Sequence, residues 1–186
     1  MHLSEGGSLQ NNHTRVLTTL RLQFLGDIHQ PLHTESLLRG GNSISVLFNN
    51  HPTNLHHVWD TSIPEAHVGG YARPFAQSWA ANLTDAILYG RYKAQAENEW
   101  LKGMSLADPE GSALVWAGES NAFVCSHVLA RGEKELAGEE LAGAYFEYAI
   151  PVVESLVARA GYRWVAVMSG GHSTNDIIAG WLNGWI

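Results

Sequence analysis

The segment EELAGAYFEYAIPVVESLVARAGYRW, residues 139–164, is the longest run of this chain with helical spacing and propensity. An apolar face of that length must be buried against other elements, and most of the partners the chain offers are helical too. Pro151 sits inside the run, where a missing main-chain donor predicts a kink. Residues 112–130 (SALVWAGESNAFVCSHVLA) and the stretch from Tyr71 to Trp100 also read as helices. Nearer the start, Val16, Leu20, Phe24 and Ile28 recur every four residues with Leu17 beside them. That predicts an amphipathic helix stopped by Pro31. Only GGNSISVLFNN breaks the helical period: Ile44, Val46 and Phe48 alternate with Ser43, Ser45 and Leu47. It reads as a short strand, entered through Gly40-Gly41 and left through an Asn49-Asn50 turn. TNLHHVWDTSI then predicts a second helix with Asn54 as its N-cap. The expected fold class is mainly α with one small β element.

Length favours one domain, and 45% hydrophobic residues among 186 supply one good core. A formal net charge of −7 excludes a protein that grips nucleic acid through a broad basic surface. Contact with a polyanion has to be local, through metal ions or aromatic stacking. No apolar run reaches the roughly 18 residues of a membrane span. The start, MHLSEGGSLQNNHT, is polar, and no signal peptide is expected in it. Sequons for N-glycosylation stand at Asn12 and Asn82, and the lone cysteine, Cys125, reads as a reduced core residue on composition alone.

Residues 26–60 crowd together His29, His33, His51, His56 and His57 with Asp27 and Asp60. In helical register Asp27 falls within the apolar stripe. A carboxylate aimed at a core needs a metal or a partner, or else accepts backbone or arginine hydrogen bonds at a fraying helix end. His56 and Asp60, four apart, share a helix face, and His33 lies just beyond Pro31. Two imidazoles and a carboxylate with positions left for water suit a catalytic or substrate-binding zinc. His57 points about 100° away from His56 and needs another partner. His51 reads as a loop residue and His127 as a packed helix residue. His29 fits either a donor to a ligating carboxylate or plain helix-end surface.

FLGDIHQPLH, GGNSISV and NLHHVWDTSI, in that order and spacing, resemble the motif series of the secreted zinc-dependent single-strand-specific nucleases, the S1/P1 nuclease family. WAGESNAFVCSHVL and ELAGAYFEYAIPVVESLVARAGYR resemble the same family's later helices, so the likeness runs from about Leu17 to Arg163. It implies a mainly α helical bundle of the phospholipase C/P1 nuclease type with one small β-hairpin. It also implies a site of up to three zinc ions, with His33, His56 and Asp60 as ligands of one. Asp27 corresponds to the catalytic carboxylate bridging the other two, and Asn42 to a polar residue at the scissile phosphate. The implied reaction is hydrolysis of phosphodiester bonds in single-stranded DNA and RNA by a secreted enzyme, with 3′-nucleotidase activity alongside. In it the paired zincs activate water and the third offsets charge on phosphate and leaving oxygen.

Three departures from the family pattern shape further expectations. Gln23 stands four residues before Asp27, where the family has a histidine, and an amide is a poorer zinc ligand than imidazole. Nothing before Val16 supplies the family's early ligands, since His2 and His13 lack the pattern. The expectation is therefore an N-terminally truncated member: a disordered polar stretch over 1–15, a nuclease-like helical domain over 16–168, and an unmatched tail over 169–186 holding Trp181 and Trp185. Cys125 matches a family cysteine whose partner would lie in the missing region. About one zinc is expected in this chain. The alternative to a working nuclease is a homologue that keeps one zinc site and binds nucleotides without cutting. A weaker alternative is a phosphoesterase of the phospholipase C kind.

Overall fold

The computed structural model describes residues 23–170. Asn12, Val16, Leu17, Leu20, His2, His13, Trp181 and Trp185, and the expectations attached to them, lie outside that range. In chain order come α1 (residues 23–27), a 3-10 turn (Pro31–Thr34), β1 (Ser45–Phe48), β2 (His51–Asn54) and α2 (Leu55–His57). A π turn (Val58–Ser62) leads into α3 (Ile63–Val68), α4 (Arg73–Leu88), α5 (Lys93–Asn98) and α6 (Pro109–Phe123). A second π turn (Val124–Val128), α7 (Glu133–Leu136) and α8 (Ala144–Met168) complete it. The mainly α expectation holds, with a single two-stranded antiparallel sheet among the described residues. No described helix is long and apolar enough to cross a membrane.

α8 is the element around which the rest packs. Ala149, Val152, Val153 and Leu156 meet Leu32, Val46, Leu55, Val58, Ile63 and Val128 in the larger core. Farther along, Ala158 and Tyr162 pack on Leu83, Ala96 and Trp100. Each such aliphatic side chain contributes roughly 1.5–3 kcal/mol when buried. Pro151 lies inside α8, which continues past it to Met168.

The start of that helix departs from the sequence reading. Residues 139–142 are not helical, because the outer edge of β1 needs partners. Leu47 donates to Glu139 O at 2.8 Å and accepts from Leu141 N at 2.9 Å. The Glu140 carboxylate accepts from Asn49 N, Asn50 N and Ala142 N at 2.9, 2.6 and 2.8 Å. Asn49 and Asn50 have φ of 53° and 61°, the left-handed pair that a two-residue hairpin demands. Ile44, Val46 and Phe48 are buried, as alternation predicts. His51 is not a loop residue; it opens β2, opposite Phe48. The stretch from Tyr71 to Trp100 is not one helix. It breaks between Leu88 and Lys93, which lets Ala96 and Trp100 fold back onto Leu83 and α8.

α1 also buries a different face from the expected stripe. Phe24 is 61% exposed, while Leu25 and His29 are buried at 8% and 3%. His29 is neither helix-end surface nor a donor to a ligating carboxylate. Its Nδ1 donates to Leu25 O at 2.7 Å, which leaves Nε2 to accept from Arg163 Nη1 at 2.9 Å. Arg163, wholly buried, also donates through Nε to Trp100 O at 2.7 Å and through Nη2 to Glu119 Oε2 at 2.6 Å. Arg159 Nη1 reaches the same Glu119 oxygen at 2.9 Å. Burial pushes His29 down to about 4, with the positive charges of Arg163 and Arg159 acting in the same direction.

That depression has a sign in the stability. The unfolded chain takes up a proton near 6.5 and the folded chain near 4, so stability is lost as pH falls between them. Urea unfolding at pH 7.5 and pH 4.5 should show the wild type losing about 2–3 kcal/mol more than His29→Gln. Glutamine keeps a donor and an acceptor without the titration. Equal losses in the two proteins would show that His29 is not buried neutral.

Candidate metal centre

His33 is carried by the 3-10 turn, where Pro31 and Leu32 are buried anchors and the Gln30 side chain accepts from Leu32 N. The Asn121 amide on α6 holds the same turn by donating to Thr34 O at 2.9 Å. His56 and Asp60 follow from the next cap. Asn54 is the N-cap of α2, as expected, and its side chain accepts from His57 N at 2.9 Å. The helical run then widens into the π turn Val58–Ser62, which carries Asp60 while Val58 and Trp59 point into the core. Such single π turns recur at functional sites.

One ligand atom from each of His33, His56 and Asp60 lies within 4.8 Å of the other two, and this is the one such cluster among the described residues. His33 Nε2 is 3.1 Å from Asp60 Oδ1, and His56 Nε2 is 3.2 Å from Asp60 Oδ2. The two imidazoles stack, with centroids 4.9 Å apart and planes 8° from parallel. His56 Nδ1 donates to Gly40 O at 2.7 Å. In the neutral tautomer that donates there, Nε2 turns a lone pair toward a carboxylate oxygen, so two acceptors meet. A cation between them resolves that opposition. Donors on a tetrahedral zinc at about 2.0–2.1 Å stand roughly 3.3 Å apart, close to both imidazole–carboxylate separations. The residues therefore fit zinc.

Supporting contacts orient this set. Gln30 Nε2 donates to Asp60 Oδ1 at 2.6 Å. Gly40 has a φ of 60°, and a Cβ there would sit 2.6 Å from Leu32 O, so glycine alone brings its carbonyl to His56. The hydrogen bond to Asp60 raises the His33 imidazole above its ordinary value, against burial and with the charges of Asp60 and Asp27. Burial acts to raise the Asp60 carboxyl, and the hydrogen bonds from His33 and Gln30 outweigh it, holding the group below its usual range.

Asp27 joins the site from α1, with Oδ1 3.7 Å from His33 Nδ1 and a side chain 42% exposed, so it is not core. It lines two cavities. One, of about 560 Å³, also has His33, Glu35, Arg39, Gly40 and His56 on its wall. The other, of about 400 Å³, is more apolar, with Trp59, Pro64, Val153 and Leu156 around Gln30, His33 and Asp60. Gln23 is exposed one turn before Asp27. Asn42 is exposed; its Nδ2 donates to Arg39 O at 2.9 Å, and it does not line either cavity.

The other histidines stay apart from this centre. His57 is exposed. His127 packs as expected, stacked on Tyr148 with centroids 4.8 Å apart. Cys125 is exposed rather than core, on the second π turn. Gln30, Gly40 and Arg39 escape the sequence reading. Only the double glycine, placed between two histidine motifs, hints at a backbone approach.

A sequence profile of the family described as S1/P1 Nuclease matches residues 2–170. The chain is 41% identical over 157 residues to Nuclease S1 of Aspergillus oryzae, covering 83% of this chain and 54% of that protein. It is 37% identical over 171 residues to Nuclease P1 of Penicillium citrinum, covering 90% and 63%. Endonuclease 4 of Arabidopsis thaliana is 30% identical over 152 residues, covering 78% and 47%. The chain thus spans between about half and just under two thirds of the length of these relatives.

Removing the Gln30 contact tests whether this centre is organised for metal. Gln30→Ala should weaken zinc binding by about 10- to 100-fold, the usual effect of losing a group that orients a ligand. Competition with a fluorescent chelator measures it. Unchanged affinity would mean that Asp60 is not held for a metal.

Proposed function

Because the chain belongs to the S1/P1 nuclease family, we propose that it hydrolyses phosphodiester bonds in single-stranded DNA and RNA using zinc held by His33, His56 and Asp60. The observation that carries this reading is His56, whose Nδ1 is spent on Gly40 O while Nε2 faces Asp60 at 3.2 Å. Zinc at such a site supplies the positive charge that polarises a phosphoryl oxygen and offsets the charge developing on it. That charge is what an acidic chain of formal net charge −7 needs in order to meet a polyanion.

The chain's own residues divide the remaining work. Gln30 fixes the Asp60 carboxylate through its 2.6 Å hydrogen bond. Asp27, on the wall shared by both cavities, is the carboxylate placed to hold a further cation or to accept a proton from water. Asn42 spends one amide N–H on Arg39 O and has a second left for a phosphate oxygen. Removal of 3′-phosphates belongs to the same proposal, since it uses the same phosphate contacts. So does secretion, in which Asn82, exposed on α4 two residues before Thr84, would carry the glycan.

A second reading is a protein that binds nucleotides at one zinc without cutting. Two observations favour it: a single ligand cluster among the described residues, and an exposed Gln23 one turn before Asp27.

Metal analysis and a cleavage assay separate the two. The nuclease reading expects zinc-dependent degradation of single-stranded DNA, stopped by a chelator, and a loss of more than about 100-fold in His56→Ala. One zinc per chain with no cleavage would leave only the second reading. Two or three zincs per chain would contradict the second.

A further inference from the structure

Leu38, Arg39, Gly40 and Gly41 have consecutive φ angles of 48°, 60°, 60° and 78°. Left-handed backbone costs a residue with a Cβ on the order of 1–3 kcal/mol, so two non-glycines in one such turn must be held by their surroundings. Arg39 N donates to Ser36 O at 3.0 Å, Gly41 N to Leu37 O at 3.1 Å and Ser43 N to Leu38 O at 3.0 Å. Asn42 Nδ2 donates to Arg39 O at 2.9 Å. The Glu35 carboxylate accepts from Ser36 N and Leu37 N at 2.6 and 2.8 Å. The turn is therefore built and ordered.

Gly40 accounts for one reason to build it, since its carbonyl holds His56. Arg39 has no such structural duty. Its side chain is exposed on the wall of the 560 Å³ cavity, beside Asp27, His33, Glu35 and His56. Among the described residues, Arg39, Arg73, Lys102 and Lys134 form no ion pair, and of these four only Arg39 lines this cavity. The two carboxylates on that wall are otherwise engaged, Glu35 with backbone amides and Asp27 with His33. A strained, well-bonded turn thus presents an unpaired guanidinium to the cavity lined by the candidate ligands His33 and His56, with Asp60 on the adjoining one.

We propose that Arg39 is the anion-binding side of this cavity and takes a phosphate group of the nucleotide or strand bound at the metal centre, an inference that rests on the function proposed above. A guanidinium offers two parallel N–H donors that match two phosphate oxygens, which an ammonium cannot reproduce. Against a wall that carries Asp27 and Glu35, it is the fixed positive charge that the chain itself supplies. One turn then serves both halves of recognition: Gly40 positions a metal ligand, and Arg39 positions the phosphate.

Arg39→Gln and Arg39→Lys keep the Cβ, so the backbone cost of the turn is unchanged. Arg73→Gln, at an exposed position on α4, controls for the loss of one positive charge. Each protein is titrated with zinc and then with thymidine 5′-monophosphate and with thymidine by calorimetry. Arg39→Gln should keep its zinc and bind the monophosphate about 10- to 100-fold more weakly, the effect of losing a hydrogen bond to a charged group. Arg39→Lys should recover part of that affinity, Arg73→Gln should match wild type, and thymidine should not distinguish them. Wild-type monophosphate affinity in Arg39→Gln overturns the anion site. Loss of zinc binding in Arg39→Gln also overturns it, since Arg39 would then be structural. A wild-type chain that takes zinc but no monophosphate overturns it while leaving the metal centre standing. A wild-type chain that takes no zinc overturns the metal reading and this inference together.

Discussion

One buried guanidinium ties the helices together. Arg163, on α8, has no solvent exposure and donates to His29 just beyond α1, to the Trp100 carbonyl beyond α5, and to Glu119 of α6. Taking an arginine out of water is expensive unless its donors are satisfied, and here Nε, Nη1 and Nη2 all are. The geometry also dictates protonation. His29 can accept from Arg163 only as the neutral Nδ1–H tautomer, and the bond from Nδ1 to Leu25 O enforces that form. Burial pushes Arg163 itself down to about 10, which leaves it charged at neutral pH.

The candidate metal centre inherits its position from that anchor. His29 lies two residues after Asp27 and just before Gln30, Pro31 and His33. Fixing its ring on α8 and α6 therefore sets where α1 ends and where the 3-10 turn begins. From the other side, the hairpin and the Asn54 cap set the start of α2, and the π turn brings Asp60 opposite His56. The Gly40 carbonyl joins the two sides by holding His56 at 2.7 Å. His33 meets His56 and Asp60 from a distant segment because both segments are held by packing and hydrogen bonds of the protein's own, the preorganisation a functional site requires.

Much of this is legible in the chain. Period 3.6 marks the helices, alternation at Ile44, Val46 and Phe48 marks the strand, and Asn54 and the i, i+4 pair His56–Asp60 mark the cap and the ligand face. What is not legible follows from tertiary choices. Phe24 and Leu25 are adjacent apolar residues, and only tertiary packing decides that Leu25 is buried and Phe24 is not. Arg163 reads as an ordinary charge near a helix end, since its burial depends on three other segments. Glu140 reads as the start of a helix, yet the hairpin's free amides recruit it. The break between Leu88 and Lys93 has only Gly90 to announce it, and the role of Gln30 depends on a partner thirty residues away.

The proposed function stands on His33, His56 and Asp60 holding a metal, with Asp27 on the adjoining wall. Anomalous diffraction from zinc-soaked crystals, collected above and below the zinc edge, tests it most directly. A difference peak within bonding distance of His56 Nε2, a His33 ring nitrogen and an Asp60 carboxylate oxygen is the expected result, with His56 Nδ1 still on the Gly40 carbonyl. A zinc peak elsewhere, with His56 and Asp60 left as a simple ion pair, would contradict the account.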